Sequence, residues 1–458
     1  MGGSLAFAPL KDARFVWFFV GRFISTAGSV MAPIALAFAV LEMTSSVTAL
    51  GQVLAARSIP LVVLLLVGGV VADRFSRSTV LMLSHVASAA TQGLVAYLVI
   101  TGQARLESVI VLEALNGAMT AFTMPAIQGM VPQIVDRAVM QQANALLAFS
   151  RSVLAVIGPA LAGLLVVTVG AGWALAFDAL TWALAAFCMV FVRVSAATDR
   201  ERSTMWKELR SGWAEFISFT WLWVIVLACG VLNAVHAGAW ATLGPMVAKS
   251  DPGIGEQGWG MLVSAEAVGL LVCTLIMLRA RIVRPLLVGM VGMAALALPL
   301  FALAMHPSLV VVMVCCLVAG AGVQVFMITW QTAIHENVPE RYLSRVTAYD
   351  SLGSFVALPL GQLAVGPAAE IAGPEPTLIG SGVFFLAVVA AALGVPAVRT
   401  MRRSTPVGAD SPKAPVVEPA TIEPQQAEPR TGGTAVASAP GAEPEHWTTN
   451  SERRREAP

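Results

Sequence analysis

Twelve apolar stretches, each long enough to cross a bilayer, leave this chain few folds to adopt. They run over residues 15–41, 49–72, 79–100, 108–131, 145–169, 172–194, 217–247, 257–279, 284–305, 308–333, 347–369 and 377–398. A spanning α-helix needs about 20 predominantly apolar residues, because lipid offers no partner for a free backbone N–H or C=O. Several connections are only a few residues long, which makes sequential helices antiparallel neighbours. Composition points the same way, with 57% of residues hydrophobic and 12% charged, against roughly 45–50% and about 25% in soluble globular domains. The expected fold is therefore an all-α membrane protein of twelve transmembrane helices. The first stretch, about 27 residues, exceeds the 7–15-residue core of a cleavable signal and reads as the first span.

Orientation follows from Lys and Arg. Lys11, Arg14, Arg74, Arg77, Arg137, Arg193, Arg200, Arg202, Lys207, Arg210, Arg279, Arg281, Arg284, Arg341, Arg345, Arg399, Arg402 and Arg403 fall on one set of loops. The other set holds Arg105 and Lys249. The positive-inside rule then places both termini in the cytoplasm. The net charge of +1 averages over compartments and decides nothing.

The chain divides into two halves and a tail. Residues 1–194 and 217–400 each hold six spans, joined by a charged linker over 195–216. Within it, 206–216 has the pattern of a short amphipathic surface helix. Residues 401–458 are rich in Pro, Ala, Glu, Thr and Ser and are expected to be a disordered cytoplasmic tail. The halves echo each other. Gly51 precedes Arg57 by six residues and Gly260 precedes Glu266 by six; Arg151 precedes Pro159 by eight and Ser351 precedes Pro359 by eight. Val131-Pro132 and Val338-Pro339 make a third match at a similar offset. Two six-helix pseudo-repeat bundles are thus expected.

The loop between spans two and three reads Gly68-Gly69-Val70-Val71-Ala72-Asp73-Arg74-Phe75-Ser76-Arg77. The Gly pair allows one helix end to pack closely on a neighbour. Asp73 is placed to accept hydrogen bonds at the start of the next helix, where the dipole favours an anion. Gly158-Pro159-Ala160-Leu161-Ala162-Gly163 lies mid-way along span five, where small residues permit close helix approach and Pro bends the helix.

The first of these segments closely resembles the signature loop of the major facilitator superfamily, departing at Ser78, where a second basic residue is common. The second resembles the Gly-Pro motif of that superfamily's antiporters, and ordinary membrane-helix packing is the alternative reading. Residues 5–400 carry the resemblance. Arg22-Phe23-Ile24-Ser25-Thr26-Ala27-Gly28, Pro125-Ala126 to Val131-Pro132 with Ala143-Asn144-Ala145, and Arg345 to Asp350-Ser351-Leu352-Gly353-Ser354 to Pro359-Leu360-Gly361 resemble the bacterial multidrug and siderophore exporters of enterobactin and macrolide type. The resemblance implies the major facilitator fold, a bacterial cell (inner) membrane location, and proton-coupled export by alternating access. Glu113 stands where many drug exporters carry an Arg, so a proton-relay role for that Arg does not carry over.

Ionisable residues inside spans cost about 2.5–3.5 kcal/mol at the bilayer centre and therefore face a cavity or pair with one another. The candidates are Arg22, Arg57, Glu113, Arg151, Asp178, His236, Glu266 and Asp350. Arg57 and Glu113 lie about 12 and 8 Å from the outer ends of their spans. They can form an ion pair, structural or functional, and Asp178 at similar depth is an alternative partner for Arg57. Glu266 lies mid-way along span eight with no Lys or Arg deep in the C-terminal spans, and His236 is the nearest titratable group. Glu266 is the first candidate for proton coupling, with His236, Glu113 and Asp178 as others; simple exposure to cavity water is the competing reading. Arg22 and Arg151 can hold an anionic group or latch the halves. Asp350 is expected within a turn of the cytoplasmic end of span eleven, as a cap or latch. Asn233, Gln324 and the Trp residues at 223, 240 and 330 are cavity candidates, although Trp more often anchors at the membrane surface.

No phosphate-binding Gly-Lys-Ser loop occurs, so ATP hydrolysis is not expected, nor is any enzyme activity. Cys188, Cys229, Cys273, Cys315 and Cys316 lie inside spans without metal-ligand spacing and read as small buried hydrophobes. The expected partners are a small-molecule substrate, protons and lipid, with no cofactor, metal, nucleic acid or ATP, and the protein is expected to be monomeric. Nutrient uptake and a non-transporting sensor or scaffold using the tail remain alternative functions.

Overall fold

A computed structural model describes residues 7–192, 194, 213, 216–280, 282–306 and 308–403. Side chains at 66, 69, 70, 72, 73, 340, 341, 344 and 345 are outside this set. Most of the expected 195–216 linker, the tail beyond 403, Gly69, and the side chains of Asp73 and Arg345 therefore lie outside the described residues.

The helices are α1 (Ala13–Thr44), α2 (Val47–Arg74), α3 (Arg77–Ile100), α4 (Leu106–Ile134), α5 (Met140–Val169) and α6 (Ala171–Val190). They continue with α7 (Thr220–Ser250), α8 (Gly255–Met277), α9 (Pro285–Ala304), α10 (Leu309–Asn337), α11 in two segments (Glu340–Phe355 and Leu358–Ala372) and α12 (Pro374–Gly394). Among the described residues, twelve helices are long and apolar enough to cross a membrane, and there is no strand.

Local chemistry sets the ends. Ser46 Oγ accepts from the N–H of Ala49 at 3.2 Å and caps α2. Pro285 and Pro374 open α9 and α12, where a missing N–H costs nothing. Pro359 cannot complete the helical ladder, and α11 breaks at Val356–Ala357 just before it. In α7 the stretch His236–Leu243 winds as a π-helix, with Thr242 Oγ1 donating to the Ala237 carbonyl at 2.8 Å. Such wide turns recur at functional sites.

Helices α1–α6 form one bundle and α7–α12 the other, and the internal duplication reappears as contacts. Gly117 of α4 packs on the carbonyl of Arg57 in α2, and Gly320 of α10 packs on that of Glu266 in α8. Gly51 of α2 meets the carbonyl of Gln362 in α11, and Gly260 of α8 meets that of Pro159 in α5. Each glycine admits a backbone where a Cβ would collide.

The apolar core is divided unequally. At the end bearing Arg74, Arg137 and Arg284, here the basic end, each bundle has its own core. One is built on Phe15, Leu81, Met130 and Met189, the other on Leu222, Met290, Trp330 and Phe385. At the opposite end a single core draws on both bundles, joining Leu36, Phe38, Leu50 and Val166 to Trp240, Leu243, Trp259 and Val365. The bundles are packed together at the far end and have separate cores at the basic end.

Candidate functional site

The seam between bundles is made by α5 on α8 and α2 on α11. Along the first, Pro159, Ala160 and Gly163 lie directly on the partner helix, whereas Gly158 packs on Val30 of α1. Ala160 N–H donates to Ser264 Oγ at 3.0 Å, and a Cβ on Gly163 would come within 2.7 Å of the Glu256 carbonyl oxygen. Pro159 lies inside α5 at this level, where its missing N–H interrupts the helical ladder. Along the second, Thr48 Oγ1 donates to Glu370 Oε1 at 2.7 Å near the far end.

Two cavities open on either side of one wall. The first, about 400 Å³, lies inside the C-terminal bundle, lined among others by Asn233, His236, Glu266, Phe326, Trp330 and Asp350. The second, about 360 Å³, lies between bundles, where Val30, Pro33, Ala155 and Pro159 face His236, Trp240, Trp259 and Glu266. His236 and Glu266 belong to both linings, and neither lining contains Lys or Arg. The π-helical turn begins at His236, so the residue shared by the cavities also starts the irregular stretch of α7. Asn233 Nδ2 donates to the Ser354 carbonyl at 3.0 Å and ties α7 to α11 in the first cavity.

The two cavities bear on two further candidates. Asp350 lies about one turn from Val346, where the apolar span of α11 begins, as expected, and it faces the first cavity. The helix starts at Glu340, ten residues earlier, and Asp350 Oδ2 accepts from Trp330 Nε1 at 3.2 Å inside the first cavity. Pro339 precedes this helix and favours its start, and its first turns are too polar to belong to the apolar stretch that set the expected boundary. Gln324 is not in either lining. Val323, Phe326, Met327, Trp330 and Gln331 form the lining face of α10, and Gln324 lies one residue off that face. Trp240 and Trp330 line cavities, whereas Trp223 is exposed on the bundle surface.

The remaining charged candidates gather in the N-terminal bundle, outside both linings. Arg57 Nη1 lies 3.5 Å from Glu113 Oε2, and Glu113 is fully buried. Asp178, also buried, is within electrostatic reach of both. Arg22 is half-buried and within reach of Arg151, which is exposed on α5. Removing one member of a buried ion pair leaves the other uncompensated, at a cost of about 3–5 kcal/mol. Arg57→Met is therefore expected to lower the thermal unfolding midpoint in detergent more than Arg57→Met combined with Glu113→Gln. Equal midpoints would show that the pair contributes nothing.

At the basic end, Arg77 Nη1 donates to the Gly129 carbonyl and ties the α2–α3 turn to α4. Ser76 Oγ donates to the Val194 carbonyl at 2.8 Å. Gly68 packs on the Ala121 carbonyl, the close approach expected of the glycine pair, and Arg74 is exposed at the end of α2.

Sequence reasoning missed His85, Ser88 and Gln92 of α3, all buried beside α4 and α6. The signal was present as a polar stripe at i, i+3 and i+7 within an apolar helix. Both ring nitrogens of His85, both amide atoms of Gln92, Ser88 Oγ, Glu113 Oε1, Asn116 Oδ1 and Asp178 Oδ1 lack a hydrogen-bond partner. Each such group costs about 1–3 kcal/mol, so the cluster weighs against stability as it stands.

The family model described as transmembrane secretion effector matches residues 4–423. The chain belongs to this family of the major facilitator superfamily. As a member, it is a multi-pass membrane transporter. It is 24% identical over 402 residues to the multidrug efflux pump Tap of Mycobacterium tuberculosis, covering 85% of this chain and 95% of that protein. It is 23% identical over 373 residues to the staphyloferrin A transporter of Staphylococcus aureus, covering 78% and 90%. Among solved structures, the nucleoside transporter NupG superimposes with a TM-score of 0.68 at 13% identity, covering 83% of this chain and 98% of that one. A bacterial homologue of the iron transporter ferroportin in its inward-facing state gives 0.64 at 15% identity, covering 82% and 98%. These structural likenesses establish the fold of the transmembrane secretion effector chain.

Proposed function

We propose that the protein exports a small amphipathic molecule from the bacterial cytoplasm in exchange for protons, by alternating access. The observation that carries this reading is the sharing of Glu266 and His236 by two cavities. A carboxylate on that wall can exchange a proton as substrate enters or leaves either space, which links the two movements. The Lys and Arg bias puts the basic end in the cytoplasm. The arrangement with separate cores at that end is then the loading state of an exporter. Residues 1–194 and 217–400 are the moving bundles, 195–216 their cytoplasmic link and 401–458 a cytoplasmic tail. Asp73, Arg74 and Arg77 act as a latch that differs between states, and the Gly158–Gly163 and Pro359–Gly361 segments supply the deformable seam.

The relative named as a multidrug efflux pump supports export as the direction. The lining supports the substrate class. Glu266, Asp350 and aromatic faces at Trp330 and Phe326, without Lys or Arg, suit a neutral or cationic amphiphile. The test uses everted membrane vesicles with an acidic lumen and ethidium as the probe. Ethidium is expected to accumulate in the lumen, and collapsing the pH gradient is expected to release it, with sodium having no effect. No accumulation, or accumulation indifferent to the pH gradient, would overturn the reading.

A further inference from the structure

We propose that the N-terminal bundle carries a second proton route, a file of buried polar side chains on α3, α4 and α6 in which His85 is the relay nearest the basic end. This rests on the proton-coupled reading above but concerns the bundle that contains neither Glu266 nor the first cavity.

The file is built by helix periodicity. His85, Ser88 and Gln92 share one face of α3 and are 2%, 1% and 1% exposed. They extend about 10 Å along the helix axis. Around them, α6 contributes Trp182 together with Asp178 and Thr181, whose side-chain oxygens lie against Gly28 of α1, and α4 contributes Glu113 and Asn116, all buried. The levels are fixed by contacts. A Cβ on Gly93 would lie 3.7 Å from Ala179 Cβ, which sets Gln92 near the level of Asp178. The His85 ring is 5.0 Å from that of Trp182, one turn nearer the basic end. Asn116 Nδ2 donates to Thr91 Oγ1 at 3.3 Å and joins α4 to α3.

At the far end the file meets the Arg57–Glu113 pair, with Asp178 in electrostatic reach of both. At the other it meets Arg22 of α1, in reach of His85, and the backbone carbonyl of Ala185 on α6. The groups facing His85 are thus Trp182 and Ala185 from α6 and Arg22 from α1. None of the file lines either cavity.

A structural network would pair these atoms with one another. Here eight of them on six side chains of three neighbouring helices lie unpartnered, as in a route whose hydrogen bonds must change partner while a proton passes. Glu113 or Asp178 accepts the proton on a carboxylate oxygen. Ser88 and Gln92 offer donors and acceptors to the water that carries it onward. His85 takes it on one ring nitrogen and releases one from the other, so charge and atoms balance at each transfer.

The experiment compares wild type with His85→Gln in proteoliposomes, using ethidium. Two rates are measured: ethidium counterflow, which needs no net proton movement, and proton flux driven by an ethidium gradient. His85→Gln is expected to retain counterflow at the wild-type rate while proton flux falls at least about tenfold, a loss in the range of removing a positioned acid–base group. Gln92→Leu, which removes two polar atoms from the same face, is expected to show the same split and serves if His85→Gln does not fold. Proton flux equal to wild type in either variant overturns the file. So does a parallel fall in both rates, which marks a structural role. Wild type that moves ethidium without protons overturns the coupled reading itself, which separates the two failures.

Discussion

Glu266→Gln is expected to turn an uphill exporter into an equilibrating carrier. With one proton exchanged per substrate, a gradient of one pH unit supplies about 1.4 kcal/mol and sustains about a tenfold concentration ratio. The amide keeps the size and hydrogen bonding of the side chain but cannot take up a proton. Substrate then crosses in either direction until the ratio reaches unity, whatever the pH gradient. Because Gly320 packs on the backbone of Glu266 and not on its carboxylate, the helix contact survives the change. The measurement is the steady-state ethidium ratio in everted vesicles against imposed pH gradient. A Glu266→Gln ratio that still rises with the gradient as in wild type would remove Glu266 from the coupling step.

Gly260→Leu is expected to open the far end. In the arrangement seen here the Gly260 Cα faces the Pro159 carbonyl with no room for a side chain. Forcing one in costs about 1–3 kcal/mol, and the cost falls on the state that packs α8 against α5. An energy of that size shifts the balance between states by about 5- to 150-fold. The reporter is a single cysteine at Gln362, which is 8% exposed on the α2–α11 seam, in a protein whose five native cysteines are replaced. Labelling from the far side by an impermeant maleimide should rise by that factor, with export lost. Unchanged labelling and normal export would mean that the α5–α8 contact does not define the state.

The architecture was readable because lipid imposes a length on every span. The twelve stretches needed only a count of apolar residues. Span eleven shows the limit. Glu340–Phe355 is helical from Glu340 because Pro339 starts it and the bundle packs it, although its polar first turns lie ahead of the apolar span that begins at Val346. The pairing of Arg57 with Glu113 could be posed from depth alone, whereas the choice between Glu113 and Asp178 needed the packing of α2 on α4. Glu266 and His236 stood out as lone titratable groups in apolar helices. Their sharing of two cavities is a property of the packed helices and leaves no mark in hydropathy. His85, Ser88 and Gln92 were passed over because Ser and Gln carry no charge, and the stripe becomes visible only when spacing is read together with polarity.

The most direct test of the account is proton movement in wild-type proteoliposomes with no pH gradient imposed and an ethidium gradient as the sole driving force. Ethidium leaving the lumen should draw protons in, and the internal pH should fall in proportion to the ethidium moved. Ethidium movement with constant internal pH would contradict proton-coupled exchange and leave a transporter of this fold with another means of coupling.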